Sequence, residues 1–287
     1  MLEKYDRMIF LQNMPCIVRF IPSFVKRYNI WDKHITETSE CPFCKKICTT
    51  QNILFSRFKY IYNDFPFMSN QITVFNEEHK DTFSRNDLID MVNIVTTLSG
   101  CKSGGLQIKG SGASLPNHLH FSISDEEYPI VHLNEQKLMQ TEKYSISRFI
   151  GLPHLAIKLT GCLDCIVDVS IKISEIIKSK NMSYNIIFTK KGEIIIIPRI
   201  KENSKLLNRK VGISLVGGIY PCYVNCNFKN KSDNAVIRDM LSHWRNISSD
   251  MLVKALRETT ISSEITKTDI VNMFNLCNSK GSYISEK

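Results

Sequence analysis

The chain has 287 residues, of which 43% are hydrophobic, and its formal net charge is +9. This length and composition are enough for a sizeable core, and they exclude intrinsic disorder as the default interpretation. No apolar run approaches the ~20 residues that a membrane span needs, and the first residues, "MLEKYDRMIF", lack the apolar core of a signal peptide, so we expect a cytoplasmic protein that does not contact a membrane.

The first half of the chain alternates strand and helix signals. "QITVFNEE" is typical of a strand, and "FSRNDLIDMVNIVTTLSG" predicts a helix whose first turn is capped by Ser84, with Asp87 three residues later. "GLQIKG" and "HLHFSIS" predict two further strands, joined by the loop "GSGASLPN". This order indicates a sheet covered by helices.

The second half uses the same elements. "LDCIVDVSIKISEIIKS" has the apolar spacing of a helix, and "SYNIIFTKKGEIIIIPR" predicts a hairpin with a tight turn at Lys191 and Gly192. We expect "VGISLVGG" to be a strand and "NAVIRDMLSHWRNISSDMLVKALRET" to be one long amphipathic helix. With the boundary placed in "NEQKLMQTEKYS", the predicted fold is α+β, with halves at residues 1–140 and 141–287.

Two closely spaced histidines, His118 and His120, are candidates for a catalytic or metal-binding role. On a strand, His118 and His120 point to one face, which Ser122 continues, while Leu119 and Phe121 point to the core. The preceding "GSGAS" loop has glycines that let backbone N–H groups approach an anion, as well as serine hydroxyl donors. A neutral imidazole beside a phosphate suits nucleophilic attack on phosphorus, although such a pair is also typical of metal ligands or of chance.

The ten cysteines include two pairs with CxxC spacing. Cys41 and Cys44 have metal-ligand spacing, and the candidates for two further ligands are His79 and one of the two clustered histidines. With His79 and His118 the cysteines would form a closed tetrahedral Cys₂His₂ zinc site, which is the structural type. A buried or redox-active pair is the alternative. In "CLDC", Cys162 and Cys165 lie in an apolar helical stretch, where we expect packing residues.

Four motifs in order, "CPFC", "NDFPF", "EEHKD" and "GSGASLPNHLHFSIS", resemble the galactose-1-phosphate uridylyltransferase branch of the histidine-triad superfamily. The "NHLHF" wording is most similar to GDP-hexose phosphorylases, and diadenosine tetraphosphate phosphorylases are a further relative. The resemblance covers roughly residues 38–125. It implies two histidine-triad-like halves, each an antiparallel sheet with packed helices.

The resemblance also implies roles for individual residues. Cys41, Cys44, His79 and His118 match structural zinc ligands, and His120 matches the nucleophile that accepts a nucleotidyl group. The implied substrate-binding residues are Phe43 against the base, Asn63 and Asp64 at the ribose, Ser111, Gly112 and Ser114 in the phosphate loop, and the adjacent Lys109 and Asn117.

This sequence departs from the family pattern at Ser122, where the relatives have a longer Gln or His that bonds the phosphoryl oxygens. Ser122 can donate one hydrogen bond, and Lys109 or Ser111 could compensate for its shorter reach. The loop before His118 is one residue longer than usual. Arg199, at the end of a buried strand, is a candidate to reach a phosphate because guanidinium suits that anion.

The predicted function is a nucleotidyltransferase or phosphorylase that acts on a nucleoside diphosphate compound, a nucleotide sugar in particular, with phosphate or a sugar phosphate as the acceptor. Three alternatives stay open: a hydrolase of the same fold, an inactive binding protein, and a zinc-stabilised nucleic-acid-binding protein. The nucleic-acid reading is disfavoured because aromatic and basic residues are not interleaved on one face. The sequence does not specify the oligomeric state, and a homodimer is compatible with it.

Overall fold

The computed structural model describes residues 3–25, 41–47, 53–55, 57–222 and 231–274. In the described part of the chain the dominant element is one ten-stranded sheet, in the order β3-β4-β5-β7-β6-β11-β12-β10-β9-β8, and every neighbouring pair is antiparallel. Its strands are β3 Ile53–Phe55, β4 Phe58–Tyr62, β5 Ile72–Asn76, β6 Ser103–Gln107, β7 His120–Ser124, β8 Glu135–Gln140, β9 Tyr144–Phe149, β10 Ile157–Gly161, β11 Ser183–Thr189 and β12 Ile194–Arg199.

Smaller elements surround this sheet. A second sheet has the order β1-β2-β15, and a two-stranded ribbon pairs β13 with β14. These strands are β1 Tyr5–Leu11, β2 Met14–Phe20, β13 Asn203–Ser204, β14 Arg209–Lys210 and β15 Ile219–Cys222. The helices within the described residues are α1 Pro42–Ile47, α2 Arg85–Thr97, α3 Leu163–Ser179, α4 Ile213–Val216, α5 Asp233–Asn246, α6 Ser249–Thr259 and α7 Lys267–Met273. None of them is long and apolar enough to span a membrane.

The large sheet is built from one pattern used twice. Three strands, a helix and a hairpin form β3–β5, α2 and β6–β7, and the same order recurs in β8–β10, α3 and β11–β12. The two units join where β6 pairs with β11, with Gly105 opposite Ile187. The α+β fold with two similar halves is therefore confirmed. The boundary at residue 140 stays a prediction, and the segment chosen for it contributes strands β8 and β9.

Local signals explain the helices that cover one face of the sheet. Ser84 caps α2 by accepting from the Asp87 N–H, and the Asp87 carboxylate accepts from the Ser84 N–H, which completes the predicted capping box. Apolar residues of α2 and α3 then pack on the even-numbered side chains of β11 and β12, such as Ile186 and Ile196. This packing forms the larger core.

The opposite face of the sheet differs between the halves. In the second half, Ile187, Ile195 and Ile197 are fully buried beneath the β1-β2-β15 sheet and its neighbours. In the first half, the same face carries the polar side chains of His120 and Ser122 around a cavity. This face of the sheet is therefore covered by apolar packing in the second half, whereas in the first half it borders a cavity.

Two of the predicted elements are wrong. Residues 211–218 hold the short helix α4 instead of a strand, because four residues are too few to show helical periodicity. The predicted long helix is divided into α5 and α6 at Ser248, which has an extended backbone and accepts a hydrogen bond from the Met251 N–H. Serine at this place is an N-cap signal that starts a new helix.

Candidate functional site

Four predicted metal ligands come together at the N-terminal end of α1. Cys41, Cys44, His79 and His118 offer ligand atoms that all lie within 4.8 Å of one another. The Cys41 sulfur is 3.3 Å from His118 Nδ1, and the Cys44 sulfur is 3.0 Å from His79 Nδ1. Two thiols and two imidazoles are the donor set of closed, structural zinc sites. The cluster can therefore hold a metal ion.

The orientation of His118 is fixed from behind the cluster. Its Nε2–H donates to the Asn76 carbonyl at 2.7 Å, so Nδ1 is the nitrogen turned toward the cysteines. Asn76 is itself buried and donates through Nδ2 to Asp87. Burial lowers the pKa of His118, which favours the neutral imidazole that a metal requires. Asn76 thus connects the cap of α2, at Asp87, with the four-residue cluster, at His118, in one hydrogen-bond network.

His120 stands at the start of β7, two residues after His118. Its Nδ1–H donates to the His118 carbonyl at 2.7 Å, so Nε2 carries the free lone pair. Only 8% of the residue is exposed, and burial lowers its pKa. The hydrogen bond to the His118 carbonyl selects the neutral tautomer with the proton on Nδ1, which is the tautomer predicted for a nucleophile. The strand begins at His120, so His118 lies in the preceding loop rather than in the strand.

The His120 ring lines a cavity of about 200 Å³. Six of the residues predicted from sequence lie on its wall: Phe43, Asn63, Gly112, Ser114, His120 and Ser122. Ser122 shares the face with His120 as predicted, while Leu119 and Phe121 pack in the core and Phe121 also borders the cavity. The motifs at residues 43, 63, 112–114 and 120–122 are therefore brought to one place by the fold.

Phe43 sits between the metal cluster and the cavity. Its ring is stacked on Phe75 at a centroid distance of 4.8 Å and lies 5.0 Å from the His120 ring. Only 5% of Phe43 is exposed. One face of the ring is thus already occupied by Phe75. Stacking of a base on Phe43 stays a prediction.

Four other predicted residues do not line the cavity. Ser111 is fully buried, and its hydroxyl donates to the Ile108 carbonyl and accepts from the Ile108 N–H and from Asn185. Asp64, Lys109 and Asn117 are exposed at the surface. Their proposed contacts with a substrate stay predictions.

Arg199 is also placed differently from the expectation. It is fully buried and its guanidinium bonds protein groups, so it does not reach the cavity directly. In the "CLDC" motif, Cys162 is exposed at the N-cap of α3 rather than packed in a core, so the packing interpretation is wrong for this residue.

The sequence interpretation missed several wall residues. Phe65 and Phe67 add aromatic rings, and Gln107, Lys210, Gly212 and Ser214 add polar groups. The signal for the aromatic pair was present, because "FPF" spaces two rings two residues apart. The last three residues come from the second half of the chain and carry no local motif, so only the fold brings them to the cavity.

Residues 4–125 match a protein-family model described as a domain of unknown function, DUF4922. No curated protein is a significant match.

Solved structures with a similar fold include yeast Ap4A phosphorylase Apa2. That chain superposes with a TM-score of 0.57 at 16% sequence identity, over 93% of this chain and 91% of that one. Its complex with Ap4A gives a TM-score of 0.58 at 14% identity, covering 91% and 90% of the two chains. Its complex with AMP gives 0.58 at 17% identity, covering 93% and 91%. This chain therefore has the fold of yeast Ap4A phosphorylase.

Proposed function

We propose that this protein is a nucleotidyltransferase of the phosphorylase type, and that His120 carries the nucleotidyl group as a covalent intermediate. The single observation that supports this most strongly is the state of His120. Its Nδ1–H is held by the His118 carbonyl, and its ring lines a polar cavity, so the free Nε2 is available to an electrophile. The complexes of yeast Ap4A phosphorylase with Ap4A and AMP support a nucleotide as the ligand.

The proposed reaction is a double displacement. His120 Nε2 attacks the α-phosphorus, an N–P bond forms, and the P–O bond to the leaving group breaks, so that a phosphate or phosphate ester departs with the bonding electrons. An oxygen of inorganic phosphate or of a sugar phosphate then attacks the same phosphorus, and the N–P bond breaks. The Ser122 hydroxyl and backbone N–H groups on the wall would donate to the phosphoryl oxygens.

The four-residue cluster would hold a zinc ion, and the ion would supply structure. We assign it no step in the chemistry, because a Cys₂His₂ set leaves no open coordination position. The zinc ion would influence the reaction indirectly, by fixing the position of His118. That residue is both a proposed ligand and, through its carbonyl, the acceptor that fixes the His120 tautomer.

The test is intact-mass spectrometry after mixing the protein with a panel of nucleotide sugars and dinucleoside polyphosphates, without an acceptor. We expect a mass increase of one nucleotidyl group. His120→Ala should abolish this increase and should lower turnover by at least roughly 10³-fold. His132→Ala is the matched control. His132 is exposed, pairs with Glu127 at 3.1 Å and lies outside the cavity wall, so this variant should form the adduct normally.

The remaining outcomes separate the alternatives. Nucleotide release that needs neither phosphate nor sugar phosphate would indicate the hydrolase, in which water takes the nucleotidyl group. Turnover that persists in His120→Ala would refute the covalent mechanism. Absence of both an adduct and turnover, in protein shown to contain zinc, would favour an inactive binding protein.

A further inference from the structure

A buried cation lies behind the cavity. Arg199 is fully inaccessible, and within the described part of the chain no carboxylate lies within ion-pair distance of its guanidinium. Burial lowers its pKa to about 9, so it is charged at neutral pH. Its hydrogen bonds go to the Thr259 carbonyl at 3.2 Å, the Ser111 carbonyl at 3.3 Å, Asn185 Oδ1 at 2.7 Å, the Lys201 carbonyl at 3.2 Å and the Val211 carbonyl at 2.7 Å.

Two of these carbonyls belong to peptide groups that precede cavity-lining glycines. The described residues contain no cis peptide bond, and across a trans peptide the C=O and N–H point in opposite directions. Because the carbonyls of Ser111 and Val211 face Arg199, the N–H groups of Gly112 and Gly212 face away from it. Both glycines lie on the cavity wall.

The two glycines are packed directly against each other. A Cβ on Gly112 would lie 2.8 Å from Gly212 Cα and 2.7 Å from the Val211 carbonyl oxygen, and Gly112 has φ +94°. Neither N–H donates to another group in the part of the chain that the structure describes. Two adjacent free amides beside a cavity form the kind of concavity that binds an anion.

The electrostatic surroundings favour an anion at this place. Lys210 lies on the wall next to Gly212, with Nζ 3.2 Å from Glu202 and 3.4 Å from the Ala113 carbonyl. No carboxylate is among the described residues that line the cavity. A buried charge acts in a low effective dielectric, so Arg199 polarises the two peptides that it holds.

We propose that the Gly112 and Gly212 amides, with Lys210, form an anion subsite joined from both halves of the chain, and that Arg199 is the positioning residue that aligns both peptides. Its ligand is a phosphoryl group of a phosphate chain. This inference rests on the proposed function only in sharing the cavity, because an anion can bind there without any turnover.

Asn185 offers a variant that changes the subsite without touching its ligand. Its Nδ2 donates to the Ser111 carbonyl at 3.1 Å, and its Oδ1 accepts from Arg199 at 2.7 Å. Asn185→Asp is isosteric. It replaces the Nδ2 donor with an acceptor and places a negative charge against the guanidinium, so the cation is neutralised and the Ser111 carbonyl loses one of its two donors.

The experiment is calorimetric titration with inorganic pyrophosphate, with a thermal melt of each variant. We expect Asn185→Asp to keep its fold, since the new carboxylate pairs with Arg199, and to weaken the affinity for pyrophosphate by at least about tenfold. Lys210→Gln should weaken it by about two- to fivefold. Lys254→Gln, which removes an exposed charge on α6, is the control and should leave the affinity unchanged.

A folded Asn185→Asp protein with wild-type affinity would overturn the proposal, as would a wild-type protein that does not bind pyrophosphate. If Asn185→Asp does not fold, Gly212→Ala decides, because its Cβ would lie 2.4 Å from Gln107 Oε1 at the cavity edge. Lost binding there supports the subsite, and unchanged binding refutes it. Pyrophosphate binding without a nucleotidyl adduct would contradict the proposed function and leave the subsite intact.

Discussion

Replacement of Glu126 by Gln should destabilise the protein and remove part of its acid sensitivity. Glu126 accepts hydrogen bonds from Arg19 at 2.6 Å, from Lys4 and from Ser69, and Arg19 is only 2% exposed. The Arg19 guanidinium also donates to Asp6 and to the Phe67 carbonyl. The carboxylate is therefore one of two that neutralise a buried cation behind the cavity wall.

The size of the expected destabilisation follows from the pKa of the Glu126 carboxyl group. The opposing effect of burial is outweighed by hydrogen bonds from Arg19 and Lys4, which lower the pKa of Glu126 from 4.5 to about 2. Each pKa unit corresponds to about 1.4 kcal/mol of stability. Because a quarter of the Glu126 side chain is exposed, we reduce the free energy that corresponds to this pKa change, for solvent screening, to about 2 kcal/mol.

The sign of the pH dependence is fixed by the direction of this shift. A pKa that is lower in the folded protein stabilises the fold above the unfolded-state pKa, near 4.5, and that stabilisation is lost as the pH falls toward 2. The difference in unfolding free energy between wild type and Glu126→Gln should therefore be about 2 kcal/mol at pH 7 and should shrink steadily below pH 4.5.

Urea denaturation at pH 7, 4 and 3 measures this difference. The control is Glu264→Gln, which removes a surface ion pair with Arg257 whose side chains are 72% and 46% exposed, and which should cost no more than about 0.5 kcal/mol. If Glu126→Gln costs no more than this control at pH 7, or if its cost does not fall with pH, the reasoning is refuted.

Three further predictions concern the site and its surroundings. Cys44→Ser should lower bound zinc, measured by elemental analysis, from about one ion per chain to a small fraction, and should lower the melting temperature. Gly112→Ala should cost about 1–3 kcal/mol in urea denaturation, since the new Cβ meets the Val211 carbonyl oxygen at 2.7 Å and φ is +94°; a neutral effect would contradict the described loop. Tyr128→Phe should be neutral or should stabilise by up to about 1 kcal/mol in the same assay, because the Tyr128 hydroxyl is buried and has no partner among the described residues; a large loss would mean that this hydroxyl is bonded.

The parts of the site that are close in sequence were predictable. The spacing of Cys41 and Cys44 indicated two ligands of one ion, and strand alternation placed His120 and Ser122 on one face. The capping box at Ser84 also followed from two residues alone, Ser84 and Asp87. These features depend on local geometry, which a sequence pattern records directly.

The remaining parts of the site depend on contacts between distant segments. Gly212 and Lys210 reach the cavity only because β6 pairs with β11, about eighty residues further along. Ser111 looked like a phosphate donor in its Gly-Ser loop, but burial by Asn185 turns its hydroxyl inward. Neither outcome could be read from neighbouring residues.

The pairing of β6 with β11 limits how the molecule can move. Five register pairs, from Asn185↔Gln107 to Thr189↔Ser103, connect the two halves through a continuous backbone ladder. A hinge between the halves would have to break these hydrogen bonds, whereas the segments that carry Gly112 and Gly212 lie outside the large sheet. Arg199 holds the peptides of both glycines, so adjustment to an incoming ligand is left to other wall segments outside the sheet, such as the one that carries Phe65 and Phe67.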